Sequence, residues 1–342
     1  MLAFASLGIT IYTKLVNSSG SLVDGFVGAT ATNSNRYVCN AEEYICVKNL
    51  IKDLNTSEKK LLLFGNSQLG AINQFSEGEI NYAHQLALKY NDDDDKFILR
   101  SIWMPNATLS EFKEIYLSIE ECVLKIDYLI IPLFLDDTRS GIRESLKDYS
   151  LKICGNSVKS SLDVNKYMPL DTITNSQFSD RYILNRMPYI KEAKNLNTHF
   201  RTFLYQLRNT LFGITASSER KIIPKEYNKN IDSLKELISL RLEKNLSNII
   251  YIPPLFHYSS GKSIPYVRNE YHSFKDEMIE ICKVTNCDFY NFESIVNDDL
   301  WGFKGNTSLR ENSKEIDFMH FTYLGHKTVF NKLSNVIDKL KK

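Results

Sequence analysis

Five short apolar runs, each closed by a polar turn, constrain this chain more than any other feature. Residues 60–64 (KLLLF) lead into Gly65-Asn66-Ser67-Gln68, and residues 97–103 (FILRSIW) into Met104-Pro105-Asn106-Ala107. Residues 128–135 (YLIIPLFL) lead into Asp136-Asp137-Thr138-Arg139. The last two runs, 249–252 and 288–292, end in PPLFHY and Glu293-Ser294. Strands apolar on both sides need cover on both faces, as in a parallel sheet with crossover helices. Helical periodicity lies between them, at 41–54, at 110–122 with Ser110 as N-cap, and at 266–285. The final helix is expected at 323–341, with Leu324, Val329, Phe330, Leu333, Val336, Ile337 and Leu340 on one face. Alternating strand and helix predicts an α/β fold with a doubly wound, mainly parallel five-stranded sheet.

Two stretches break the rhythm. Residues 1–16 (MLAFASLGITIYTKLV) are apolar apart from Lys14, but fall short of the roughly 20 residues of a spanning helix. They read as a membrane-associated segment, with a helix packed on the domain as the alternative; 17–36 read as a linker. The domain is then 37–342, with a helical insertion at about 145–245 that includes patterns at 191–211 and 231–246. Phe200, Phe203, Leu204, Leu207 and Leu211 share a face there, which predicts either a cap beside the site or a layer on the far side of the sheet. The acidic run 92–95 lacks the glycine and spaced ligands of a calcium loop and reads as a solvated turn.

Charge adds an exclusion. With 42 basic and 41 acidic residues the chain is nearly neutral, so no global field draws in nucleic acid. None of the six cysteines forms a C-x-x-C pair, and no metal or cofactor is expected. Cys39/Cys46 and Cys282/Cys287 are near enough in sequence for local disulfides; unpaired thiols are the other reading.

In a parallel sheet the chemistry lies beyond the carboxyl ends of the strands. Ser67 stands there on a strand-to-helix turn, where Gly65 allows close approach. Taken alone, Ser67 could be an ordinary helix N-cap. Near the C-terminus Asp317 and His320 sit three residues apart. The carboxylate can orient the imidazole, which can take a proton from a serine hydroxyl.

With Ser67 in GNSQ and Asp317 and His320 in DFMHFTYLGH, the chain resembles the SGNH/GDSL hydrolases. That family has its nucleophile serine after the first core strand and a C-terminal D-x-x-H, often continued as H-x-[ST]-x-x-G-[HY]; Thr322, Gly325 and His326 fit the continuation. The resemblance spans roughly 58–150 and 247–340. It implies a flavodoxin-like fold and a catalytic Ser67, His320 and Asp317. The family's oxyanion glycine and its G-x-N-D asparagine have no counterpart here. Asn106 is therefore the candidate oxyanion donor beside the Ser67 N–H, with a turn residue as the alternative. Arg139, Arg143 and His257 also follow strand ends. The arginines could bind a carboxylate or phosphate, or pair with Asp136, Asp137 or Glu144. His326 is expected to pack within the final helix.

The resemblance implies an acyl-ester hydrolase or O-acyltransferase acting on a bacterial cell-surface glycan. It implies an extracytoplasmic location and a membrane-bound O-acyltransferase as partner. A soluble esterase or lipase of small substrates and a catalytically silent scaffold of the same fold are the alternatives.

Overall fold

The computed structural model describes residues 29–32, 34–91, 97–123, 125–154, 203–215, 218–256, 265–309 and 315–340. The N-terminal apolar segment, the acidic run 92–95, residues 155–202 of the insertion and His257 lie outside the described residues.

After a short strand β1 (Ala29–Ala31) come β2 (Val38–Asn40), helix α1 (Tyr44–Leu54) and β3 (Lys59–Gly65). A single helical turn, α2 (Ser67–Gly70), passes directly into β4 (Ala71–Asn73), which pairs antiparallel with β1. Then follow α3 (Tyr82–Asn91), β5 (Phe97–Trp103), α4 (Leu109–Glu120), β6 (Tyr128–Pro132) and α5 (Tyr149–Cys154). Next are α6 (Pro224–Glu243), β7 (Ser247–Ile252), α7 (Arg268–Thr285) and β8 (Asp288–Asn291). The paired strands β9 (Trp301–Lys304) and β10 (Glu315–Phe321) and the helix α8 (Tyr323–Leu340) complete the order.

The central sheet runs β2-β5-β3-β6-β7-β8, and every pairing in it is parallel. It has one strand more than the five apolar runs foretold. Val38–Asn40 is three residues long at the sheet edge, too short to register as a run. Side chains alternate strictly between two cores, as the pleat requires. Leu62, Phe64, Leu129, Ile131, Ile250 and Ile252 pack on the face covered by α1, α4, α6 and α7. Leu61, Leu63, Leu99, Ile130, Ile249 and Tyr251 pack on the face covered by α3 and α8. The α8 face is formed by Val329, Leu333, Val336 and Ile337.

The start of α4 differs from the sequence reading. Thr108, not Ser110, is the N-cap: its hydroxyl accepts the Glu111 N–H at 3.2 Å, and the Glu111 carboxylate accepts the Thr108 N–H at 2.9 Å. Ser110 faces α6 instead, where its N–H donates to Asn230 and its hydroxyl meets that of Ser233. Helix α6, at the C-terminal end of the expected insertion, is thus the crossover between β6 and β7. Residues 203–215, 305–309 and Glu315 belong to a second compact unit. In that unit Gln206 and Asn209 donate to the carbonyls of Asn306 and Thr307.

All six cysteines are paired. Cys39–Cys46 and Cys282–Cys287 close short loops, with Cα separations of 5.7 and 4.5 Å. Cys122–Cys154 joins the end of α4 to α5 across 32 residues, and no local spacing announces it. No helix among the described residues is long and apolar enough to cross a membrane.

A long closed loop removes much freedom from the unfolded chain. Replacing Cys122 and Cys154 together by serine is expected to lower the unfolding free energy by about 2–4 kcal/mol, measured by urea titration at neutral pH.

Candidate active site

The site forms where β3 ends beside β5 and β6. Parallel register places Gly65 opposite Trp103, and the Met104 N–H donates to the Gly65 carbonyl at 3.0 Å. The turns after β3 and β5 therefore lie side by side. In the first, Asn66 is extended and its Oδ1 accepts the Gln68 N–H at 3.0 Å, which starts α2 at Ser67. The Ser67 N–H, in the first helical position, has no intrahelical acceptor. Gly65 is required by close approach: a Cβ there would come within 2.4 Å of the Leu69 side chain.

Ser67 Oγ lies 2.9 Å from His320 Nε2, across 253 residues of sequence. His320 Nδ1 lies 2.8 Å from Asp317 Oδ2. Both partners are largely covered, with side-chain exposures of 17% for His320 and 9% for Asp317. A carboxylate this buried needs donors, and Asp317 has several. Its Oδ1 accepts the backbone N–H groups of Met319 (3.0 Å) and His320 (3.2 Å), and its Oδ2 also accepts from Asn73 Nδ2 at 3.2 Å. Burial pushes its pKa up, but His320, the Met319 N–H and the Lys304 charge outweigh that and hold it below the usual value. Asp317 is thus a carboxylate that fixes Nδ1–H on His320 and leaves Nε2 facing the serine oxygen as acceptor.

Two buried side amides tie this arrangement together, and the sequence reading assigned neither. Gln68 Nε2 donates to the carbonyls of Pro254 and Met319, both at 2.8 Å, joining the Ser67 turn to the loop after β7 and to the strand carrying His320. Asn73 reaches Asp317 from β4. Gln68 stood in the GNSQ motif and could have been singled out as the serine's neighbour. Asn73 carried no signal, because only the fold brings it to a residue 244 positions away.

The residues of the C-terminal motif each have a physical task. The Thr322 N–H and hydroxyl both donate to the Leu300 carbonyl, at 2.8 and 3.0 Å. Gly325 lies against Phe321, where a Cβ would come within 2.7 Å. His326 is fully buried. Its Nε2 donates to the Ala71 carbonyl at 3.1 Å and its Nδ1 accepts the Tyr82 N–H at 3.3 Å, a pattern that fits the neutral ring. Burial lowers its pKa to about 3.

The other candidates fall on the neighbouring turns. Asn106 is exposed and takes the left-handed conformation, φ +51°, on the turn after β5. Arg143 braces that turn from below: its guanidinium donates to the carbonyls of Pro105 and Asn106 and pairs at 3.1 Å with Glu111, itself fully buried. Its main carboxylate partner is therefore Glu111 rather than Asp136, Asp137 or Glu144. Arg139 pairs with Asp136 at 3.2 Å, and Arg220 joins the same carboxylate. Asp137 is buried beneath the Ser67 turn, accepting from the Phe134 N–H at 3.0 Å and from Asn66 at 3.4 Å. Burial drives its pKa well above the usual carboxylate value.

No family model matches the chain, and no curated protein matches it in sequence. Solved structures similar to it include a GDSL-like lipase from Bacteroides thetaiotaomicron, at 12% identity and a TM-score of 0.41, covering 88% of this chain and 99% of that one. Another is Axe2, an acetylxylan esterase from Geobacillus stearothermophilus, at 12% identity and a TM-score of 0.38, covering 81% of this chain and 93% of that one.

His326 gives the molecule a signed pH dependence. Its folded pKa lies below the ordinary histidine value, so the unfolded chain takes up the proton first as pH falls. The stability it contributes is complete above about pH 6.5 and declines toward about 3, at roughly 1.4 kcal/mol per pH unit. His84, lowered to about 4 by burial, acts in the same direction. Urea titrations at pH 7 and pH 5 should therefore differ less for His326→Gln than for the parent.

Proposed function

We propose that this chain is a serine acyl-ester hydrolase or O-acyltransferase of the SGNH type, working through Ser67, His320 and Asp317. The observation that carries the reading is the unbroken line of hydrogen bonds from Asp317 through His320 to Ser67 Oγ. His320 Nε2 takes the serine proton as Oγ attacks the acyl carbon, and Asp317 stabilises the imidazolium that forms. The carbonyl oxygen gathers negative charge beside the Ser67 N–H and the Asn106 side chain, which serve as oxyanion donors. Collapse of the tetrahedral adduct breaks the ester bond, and the imidazolium returns its proton to the leaving alkoxide. The acyl-serine then passes its acyl group to water, giving the acid, or to a sugar hydroxyl, giving a new ester. In either case His320 removes the proton of the attacking oxygen.

The substrate in this reading is an acylated glycan outside the cytoplasm. Three disulfides suit an oxidising compartment. A membrane-bound O-acyltransferase as partner and an anchoring role for residues 1–16 rest on the sequence resemblance.

A fluorophosphonate probe tests the chemistry directly. It should label Ser67 in the parent and leave Ser67→Ala unlabelled, and ester turnover in that variant should fall on the order of 10⁴-fold or more. An unlabelled but folded parent would speak for the silent scaffold. Asn106→Ala should lower kcat by roughly 10²–10³-fold with little change in KM, because the donor acts on charge present only in the transition state. A loss of Tm with unchanged kcat would return Asn106 to a turn residue.

A further inference from the structure

Asn73 is fully buried on β4, only six residues after Ser67, and the mechanism above gives its amide no role. Its Nδ2 donates to Asp317 Oδ2 at 3.2 Å and to the Phe303 carbonyl at 3.1 Å. Its Oδ1 is buried without a partner. The reverse orientation of the amide would point an oxygen at a carboxylate and a carbonyl, neither of which can donate, so the two acceptors fix it. An amide kept at the cost of a stranded acceptor is a poor choice for packing alone. The neighbouring chain is also shaped around it. Gly302 on β9 lies flat against the amide, and a Cβ there would come within 2.0 Å of it.

We propose that Asn73 is a positioning residue that sets the acid member of the triad in register with the nucleophile. The inference rests on the Ser67-His320-Asp317 reading above. Asp317 Oδ2 is shared by two donors, His320 Nδ1 and Asn73 Nδ2, which together define where that oxygen sits. Met319 and His320 N–H hold the other oxygen, but they belong to the same chain segment as the carboxylate and move with it. Asn73 is the donor from outside that segment. It is joined to Ser67 through α2 and the start of β4. Chain 67–73 therefore carries both the nucleophile and the group that fixes the carboxylate. The reach of His320 toward Ser67 is set by this short rigid span as well as by the strand that bears His320.

The test compares Asn73→Leu, which keeps the bulk and removes both donors, with Asn73→Asp, which keeps the shape and replaces the donor with an acceptor facing Asp317. Each is read as kcat and KM on a small activated ester, and as the low-field proton resonance of His320 Nδ1–H. Asn73→Leu should lower kcat on the order of 10–100-fold with little change in KM, and should shift or broaden the resonance. Asn73→Asp should be worse at neutral pH, since it sets a second carboxylate against Asp317. If Asn73→Leu does not fold, Asn73→Ser, too short to reach Asp317, replaces it with the same expected loss. A folded Leu or Ser variant with parental kcat and an unmoved resonance overturns the proposal. A parent that neither labels with fluorophosphonate nor turns over ester overturns the hydrolase reading instead. The resonance comparison then still decides whether Asn73 positions Asp317.

Discussion

Strands that all run the same way must be joined by chain that returns to the starting edge. In this sheet the returning chain is helical, and it covers both faces. That requirement explains why the strands alternate between two cores, Leu62 and Phe64 on one and Leu61 and Leu63 on the other. It also sends every polar turn after a strand to the same edge. The Ser67 turn, the Asn106 turn and the Asp136–Asp137 turn are neighbours because β3 lies between β5 and β6. The winding reverses at that point, and the crevice between neighbouring strand ends is where open α/β sheets place their ligands.

The second constraint is electrostatic. A carboxylate removed from water must find donors or give up its charge. The two buried aspartates near this edge take opposite courses. Asp317 meets Nδ1 of His320, two backbone N–H groups and the Asn73 amide, and its pKa is held below the usual value. Asp137 meets one backbone N–H and a longer contact from Asn66, with Asp136 and Glu111 adding like charge, and burial wins. The first can stabilise an imidazolium. The second lies under the Ser67 turn with its pKa driven well above the usual carboxylate value.

Much of this was legible in the sequence, and the reason is geometric. Parallel core strands are long apolar runs, and the turns after them stand out against that background; Ser67 was found there, and Asp317 and His320 through their D-x-x-H spacing near the C-terminus. Elements three residues long leave no periodic trace, so β2 and β4 went unread. Helix α4 showed its period but not its first turn, because Ser110 and Thr108 are both good caps and only the Glu111 carboxylate decides between them. Arg143 was read as a substrate ligand or a partner of nearby acids. Its partner Glu111 lies 32 residues earlier, on another element. Asn73 and the Cys122–Cys154 pair were invisible for the same reason: contacts across the fold have no spacing to read.

The turn after β6 separates this site from the pattern it resembles. Where the related motif ends in Asn-Asp, this chain has Asp136-Asp137. An aspartate side chain paired with arginine does not replace the amide donor of that asparagine. Asp136 pairs with Arg139 and Arg220, and the Arg220 guanidinium also lies 4.8 Å from the centre of the Phe318 ring, next to Asp317 in sequence. In the proposed mechanism the oxyanion donors are those of the other two turns, the Ser67 N–H and Asn106. An exposed asparagine in a left-handed conformation needs support, and Arg143 on the buried Glu111 supplies it through the carbonyls of Pro105 and Asn106. In the proposed mechanism, oxyanion stabilisation would therefore lean on the β5 turn rather than on the β6 turn.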